Sequence, residues 1–130
     1  MFNLFKSNNK IPVFEQLDAY ASANKYFRRI AAWSWHDKRM IFVIDNHAPR
    51  LITMDPWPQK IFLAADGQKT ILEYVNEVAG EYRSKVPERL DQTIIHEIET
   101  LLEEKIIELL DTKRRPEQPH DQPKEFSKRG

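Results

Sequence analysis

The stretch MDPWPQKIFLAADGQKTILEYVNEVAGEY, residues 54–82, decides the fold, because two apolar runs with a helical period meet there at a short turn. Asp55 followed by Pro56 predicts the start of the first helix, since proline is tolerated at the first helical position. Gly67 is one of only three glycines and sits where a left-handed residue would end that helix. The pair Thr70/Glu73 matches a capping box, which predicts a second helix directly after the turn.

This turn and the rest of the chain offer no reactive constellation. Gly67 has no second glycine near it and no lysine-serine pair after it, so the turn is not a phosphate-binding loop. The chain has no cysteine, which excludes disulfides, thiolate metal sites and cysteine nucleophiles. The histidines lie far apart and form no H-x-H or H-E-x-x-H pair; they are His36, His47, His96 and His120. We therefore expect no catalytic residues, no metal and no cofactor.

Composition limits the class of protein. The chain has 130 residues, of which 41% are apolar, and this is enough for one domain with a modest core. Twenty basic residues balance twenty acidic ones, so no global field draws the protein toward nucleic acid or an anionic membrane. No signal peptide and no apolar run of membrane-spanning length are visible. These features favour a soluble, cytoplasmic protein.

Strands are predicted in the part of the chain before the opening stretch. Aromatic and β-branched residues dominate positions 25–46, which predicts two strands joined by a hairpin at Asp37-Lys38. Residues 50–54 can add a third short strand. The expected facing pairs are Trp35 with Met40, Trp33 with Phe42, and Ala31 with Ile44. Tryptophans on such a face are more typical of a core than of a base-stacking platform.

A third helix is predicted after residue 90. Leu90 and Ile95 flank Asp91 as a hydrophobic staple around a helix cap. The apolar stripe that follows comprises Ile94, Ile95, Ile98, Leu101 and Leu102. The run KIIELL, residues 105–110, is either a short strand or more helix, and its spacing of three to four residues favours helix.

The complete pattern predicts an α+β, winged-helix-like domain over residues 13–110, with a three-stranded antiparallel sheet followed by three helices. An additional helix over 13–23 precedes the sheet, and residues 1–12 form a flexible N-terminus. Residues 111–130 contain three prolines and few apolar side chains, which predicts a disordered tail.

Residues 54–110 resemble the PqqD-like family, the small proteins of pyrroloquinoline quinone biosynthesis and the related recognition elements for ribosomally made, modified peptides. The resemblance is carried by Asp66-Gly67, which is followed after two intervening residues by Thr70, and by the Leu90-Asp91 start of an apolar helix. In that family a glycine usually follows the last helix, whereas this chain has Lys105 in that region.

The resemblance implies a peptide chaperone that has no catalytic centre and delivers a precursor peptide to a radical S-adenosylmethionine enzyme. The leader peptide would add as a strand to the sheet edge and pack against the third helix. The matching peptide-binding positions are Arg50, Leu51, Ile52 and Thr53 in the strand, and Ile94, Glu97, Ile98 and Leu101 on the helix.

Two alternatives remain open at this stage. The third helix of a winged-helix domain can enter DNA, but residues 91–104 carry five carboxylates and no lysine or arginine. This makes nucleic-acid binding the less favoured interpretation. A structural protein that forms homodimers through the same exposed strand is the other alternative.

Overall fold

The computed structural model describes residues 11–45, 47–48, 50–113 and 120–125. These residues form two small three-stranded antiparallel sheets and four helices, which confirms the α+β class. The elements are α1 (Glu15–Ala19), β1 (Tyr26–Arg29), β2 (Trp33–Trp35), β3 (Ile41–Ile44), β4 (Leu51–Thr53), α2 (Pro56–Ala64), β5 (Asp66–Thr70), α3 (Ile71–Ala79), α4 (Leu90–Glu103) and β6 (Ile107–Leu110). The winged-helix arrangement within this class stays a prediction.

The predicted first strand is in fact two strands that belong to different sheets. β1 is the central strand of sheet 1, which has the order β5-β1-β6, and β2 is an edge strand of sheet 2, which has the order β2-β3-β4. The strands of sheet 2 follow one another in the chain, and all three lie between β1 and β5 of sheet 1.

The predicted hairpin register is wrong by one residue. Trp33 faces Val43 and Trp35 faces Ile41, with Ser34 opposite Phe42. Asp-Lys is poorly suited to the positive φ angles of a two-residue turn, and the connection instead spans residues 36–40. The carboxylate of Asp37 orders this longer loop by accepting the N–H groups of Arg39 and Met40 at 2.7 and 2.8 Å.

The α2–α3 connection follows the sequence prediction in part. The capping box is present, because Thr70 Oγ1 accepts the Glu73 N–H at 3.1 Å and Glu73 Oε1 accepts the Thr70 N–H at 2.8 Å. Gly67 has a φ of 74°, as a left-handed residue should. However, it does not end α2, which stops at Ala64; it lies in β5, where the pairing with β1 is irregular.

The beginning of α4 differs from the prediction. The helix already includes Leu90, so Asp91 lies in its first turn and is 2% exposed instead of capping the helix. Its Oδ2 accepts the N–H of Leu17 at 2.9 Å, which ties α1 to α4. α1 covers only Glu15–Ala19 of the predicted 13–23.

The prediction of continued helix over 105–110 is wrong, and the alternative of a short strand is confirmed. α4 ends at Glu103, Lys105 takes a φ of 63°, and β6 then pairs antiparallel with β1. The spacing of apolar residues over 105–110 fits both a helix and a strand. The left-handed φ of Lys105 ends the helix and allows the strand to form.

The core lies between the sheets and the helices. The predicted α4 stripe is confirmed: three of its side chains are buried and two are half-buried. The largest fully buried side chains include Phe27, Phe62, Ile41, Ile61, Ile71, Ile94, Ile98 and Ile106. In the part of the chain that the structure describes, no helix is long and apolar enough to cross a membrane. Of the predicted flexible N-terminus, residues 1–12, positions 1–10 lie outside the described residues.

Candidate functional site

The outer edge of β4 presents backbone groups that pair with no other strand among the described residues. The Asp45 N–H donates to the Arg50 carbonyl at 3.1 Å, and the register continues with Val43 opposite Ile52. In an antiparallel pair the hydrogen-bonded positions alternate, so the N–H and C=O groups of Leu51 and Thr53 point away from β3. Among the described residues no strand pairs with this outer side. β4 is therefore an open edge of sheet 2.

The side chains of β4 alternate between the core and the surface. Ile52 is buried, whereas Thr53 is exposed and Leu51 is 59% exposed. On the same outer face of the sheet, Phe42 and Ile44 of β3 are half-buried. An extended segment added to β4 would thus find an apolar surface beside its backbone partners.

The Asp45 carboxylate holds the approach to β4 in place. Its Oδ1 accepts the His47 N–H at 2.8 Å, and its Oδ2 accepts the Arg50 Nε–H at 2.7 Å. These donors, the His47 backbone first, hold the pKa of the Asp45 carboxyl below its ordinary value. Arg50 itself is largely exposed, so its remaining N–H groups face solvent at the start of β4.

The peptide-binding positions predicted on the third helix are mostly buried, unlike those predicted in the strand. Ile94, Ile98 and Leu101 are at most 1% exposed, so in this structure they are core residues and line no open groove. Glu97 is half-buried on the same helix. α4 packs on α1, α2, α3 and β6, whereas β4 pairs with β3 in sheet 2. The strand positions therefore carry the candidate site, and the helix positions support the core.

A second edge of sheet 2 was not expected from the sequence. Residues 120–125, predicted to belong to a disordered tail, lie against β2: the Lys124 N–H donates to the Trp33 carbonyl at 2.6 Å, and Ser34 Oγ donates to the Lys124 carbonyl at 2.8 Å. The tail prediction thus does not hold for these six residues. The sequence feature that indicates a partner here is Arg29, a charged residue that lies on the same buried face of β1 as Phe27.

Arg29 fastens the beginning of this segment. Its Nη1 donates to the carbonyls of Phe62 and Leu63 at the end of α2, at 3.2 and 2.7 Å. Its Nε donates to the His120 carbonyl at 2.8 Å, and its Nη2 bonds Asp121 Oδ1 at 3.0 Å. Burial lowers the pKa of the Arg29 guanidinium, and the Asp121 carboxylate opposes that shift. A guanidinium stays protonated under these conditions, so the pair is a partly buried ion pair.

Metal chemistry finds no support in the described part of the chain, where no cluster of three or more His, Asp or Glu side chains could hold an ion. Comparisons with protein-family models, with curated proteins and with solved structures found no significant match. The two edges of sheet 2 are therefore the candidate binding sites of this protein.

Proposed function

We propose that this protein is a non-catalytic peptide-binding adaptor that takes an extended peptide as an added strand on β4. The observation that carries the proposal is the open β4 edge, where the backbone groups of Leu51 and Thr53 point outward beside an exposed leucine side chain. Backbone hydrogen bonds would supply affinity, and the side chains of every second residue would supply selection.

The resemblance to the PqqD-like family adds the biological context to this proposal. In that context the bound segment is a precursor peptide, and the partner is a modifying enzyme of the radical S-adenosylmethionine type. The order of sheet 2 followed by α2, α3 and α4 is compatible with the winged-helix arrangement of such recognition domains. An apolar patch that includes Phe42, Ile44 and Leu51 favours peptides with apolar residues at alternate positions.

The test selects peptides on the full-length wild-type chain from a display library of short random sequences. Enriched peptides are then synthesised, and calorimetry compares their binding to the wild type and to Leu51→Pro. Proline removes the outward N–H of Leu51 but no hydrogen bond to β3, so the expected result is a loss of binding by about tenfold or more with the fold retained.

A matched proline variant controls for general damage to sheet 2. Lys38→Pro lies in the β2–β3 loop. There the Asp37 carboxylate accepts the N–H groups of Arg39 and Met40, and the N–H of Lys38 takes part in no described hydrogen bond. It should bind the selected peptides like the wild type. If no peptide is enriched, or if Leu51→Pro binds the enriched peptides as tightly as Lys38→Pro does, the proposal is wrong.

A titration with labelled duplex DNA at low salt tests the nucleic-acid alternative. The carboxylates of α4 should prevent binding, because they repel the phosphates. Micromolar binding that weakens with added salt would favour the nucleic-acid alternative over the peptide proposal.

A further inference from the structure

Residues 120–125 lie along the β2 edge of sheet 2, with a turn and bend at 120–122 and a backbone hydrogen bond to β2 at Lys124. The Ile44 N–H donates to the Ala32 carbonyl at 2.8 Å, which makes Ser34 the next hydrogen-bonded partner of β3 and turns the backbone groups of Trp33 and Trp35 outward. The Lys124 N–H donates to this outward Trp33 carbonyl. The edge thus accepts a peptide segment through an outward backbone group, the kind of group that β-augmentation uses.

Side chains of the domain recognise the segment at its beginning. Trp33 Nε1 and Arg29 Nε both donate to the His120 carbonyl, at 2.9 and 2.8 Å, while Arg29 Nη2 bonds the Asp121 carboxylate. Arg29 is 6% exposed, and the α2 carbonyls hold its Nη1 in place. The domain itself therefore orients the Arg29 guanidinium, which presents Nη2 to a carboxylate and Nε to a backbone carbonyl.

The segment contributes little apolar burial in return. None of the residues 120–125 is buried, three of them are half-buried, and their contacts with β1 and β2 include hydrogen bonds and an ion pair. Because Arg29 is 6% exposed, the loss of Asp121 without a substitute would leave a buried charge unpaired, so an incoming segment has to supply a carboxylate. A segment held in this way can be replaced by another with the same pattern.

We infer that Arg29, Trp33 and Ser34 form a second peptide site, specific for a segment with a carboxylate, and that residues 120–125 are its displaceable resident occupant. The position of Asp121 relative to Lys124 defines the pattern: an aspartate or glutamate, and three residues later a free backbone N–H. This inference does not depend on the β4 proposal, because it concerns the opposite edge of sheet 2.

The experiment uses the full-length chain and the variant Lys124→Pro, which removes the N–H that bonds the Trp33 carbonyl. The probe is a synthetic peptide of residues 120–125 with blocked ends, and the readout is the NMR signal of the Trp33 indole N–H. We expect the variant to change this signal and the added peptide to restore it saturably. The wild type should show no response at the concentration that saturates the variant.

Three controls make the result specific. Lys124→Ala keeps the backbone N–H and should behave like the wild type. The same peptide with Asp121→Asn should bind Lys124→Pro about tenfold more weakly, because a hydrogen-bonded charge is lost. Leu51→Pro should leave the indole signal unchanged, which separates this site from the β4 edge.

Three outcomes would overturn the inference: an unchanged indole signal in Lys124→Pro, equal binding of the peptide to wild type and variant, or equal binding of the asparagine peptide. A failure of these tests leaves the β4 experiment unaffected, since the two experiments use different edges and different peptides.

Discussion

At the scale of single residues, two backbone positions of the described chain have a left-handed φ, and the sequence predicts only one of them. Gly67 has a φ of 74° and was predicted to be left-handed from its place between two helices. Lys105 has a φ of 63°, which carries no sequence signal because lysine has no preference for that region. Its N–H donates to the Leu102 carbonyl and the Ile106 N–H to the Leu101 carbonyl, so a helix-ending Schellman motif forms without its usual glycine.

We therefore expect Lys105→Gly to stabilise the protein by about 0.5–1 kcal/mol, since glycine adopts this conformation without the steric cost that a Cβ atom imposes. Urea unfolding of the full-length chain measures the change. Glu104→Gly is the matched control, because Glu104 has an ordinary helical φ of −79° and glycine should destabilise it by about 1 kcal/mol. If both variants lower the free energy of unfolding equally, Lys105 carries no strain.

At the scale of elements, local patterns identified the helices but not the partners of their buried polar groups. Asp91 reads as a cap for its own helix, yet its carboxylate accepts the N–H of Leu17, 74 residues earlier in the chain. The bond satisfies a first-turn N–H of α1, a helix of five residues that is too short to be stable alone. A pattern within one helix contains no information about such a distant donor.

We expect Asp91→Ala to destabilise the fold by about 1–3 kcal/mol, because the buried Leu17 N–H loses its acceptor. Hydrogen exchange at the Leu17 amide should accelerate more than exchange in α3. Asp91→Asn keeps an acceptor oxygen and should cost less. Asp18→Ala removes an exposed carboxylate from α1 and should have little effect. Equal effects of Asp91→Ala and Asp18→Ala would show that the bond does not hold α1.

At the scale of the whole molecule, the sequence predicts what local chemistry specifies and misses what distant segments decide. The capping box and the apolar stripe of α4 follow from short-range spacing, and the short strand predicted over residues 50–54 is present as β4. The division of the first predicted strand into β1 and β2 does not follow from short-range spacing. It arises because β1 pairs with β5 and β6, which lie far along the chain. The β2 edge was missed for a related reason: residues 120–125 are held by backbone and ionic contacts, and a polar, proline-containing segment gives no apolar signal.

The docking of residues 120–125 should also depend on pH, because His120 lies next to two arginines. Burial and the charges of Arg29 and Arg28 lower the pKa of docked His120 below its ordinary value of 6.5. Near these groups, Arg28 pairs with Glu108, and Arg29 pairs with Asp121 and lies close to Asp66. These carboxylates reduce the repulsion of a protonated His120 without reversing the direction of its pKa shift.

The docked segment therefore binds fewer protons than the free segment, and its docking is fully favoured only above the ordinary pKa of histidine. As the pH falls from about 7.5 to about 5.5, the free segment gains a proton more readily, so docking should weaken until the docked pKa is passed. The NMR signal of the Trp33 indole N–H, which donates to the His120 carbonyl, follows this change directly. His120→Gln keeps that carbonyl but cannot titrate, and its indole signal should not vary over the same range. A wild-type signal that stays constant, or a His120→Gln signal that varies as much, would contradict the assignment of His120 as the titrating group.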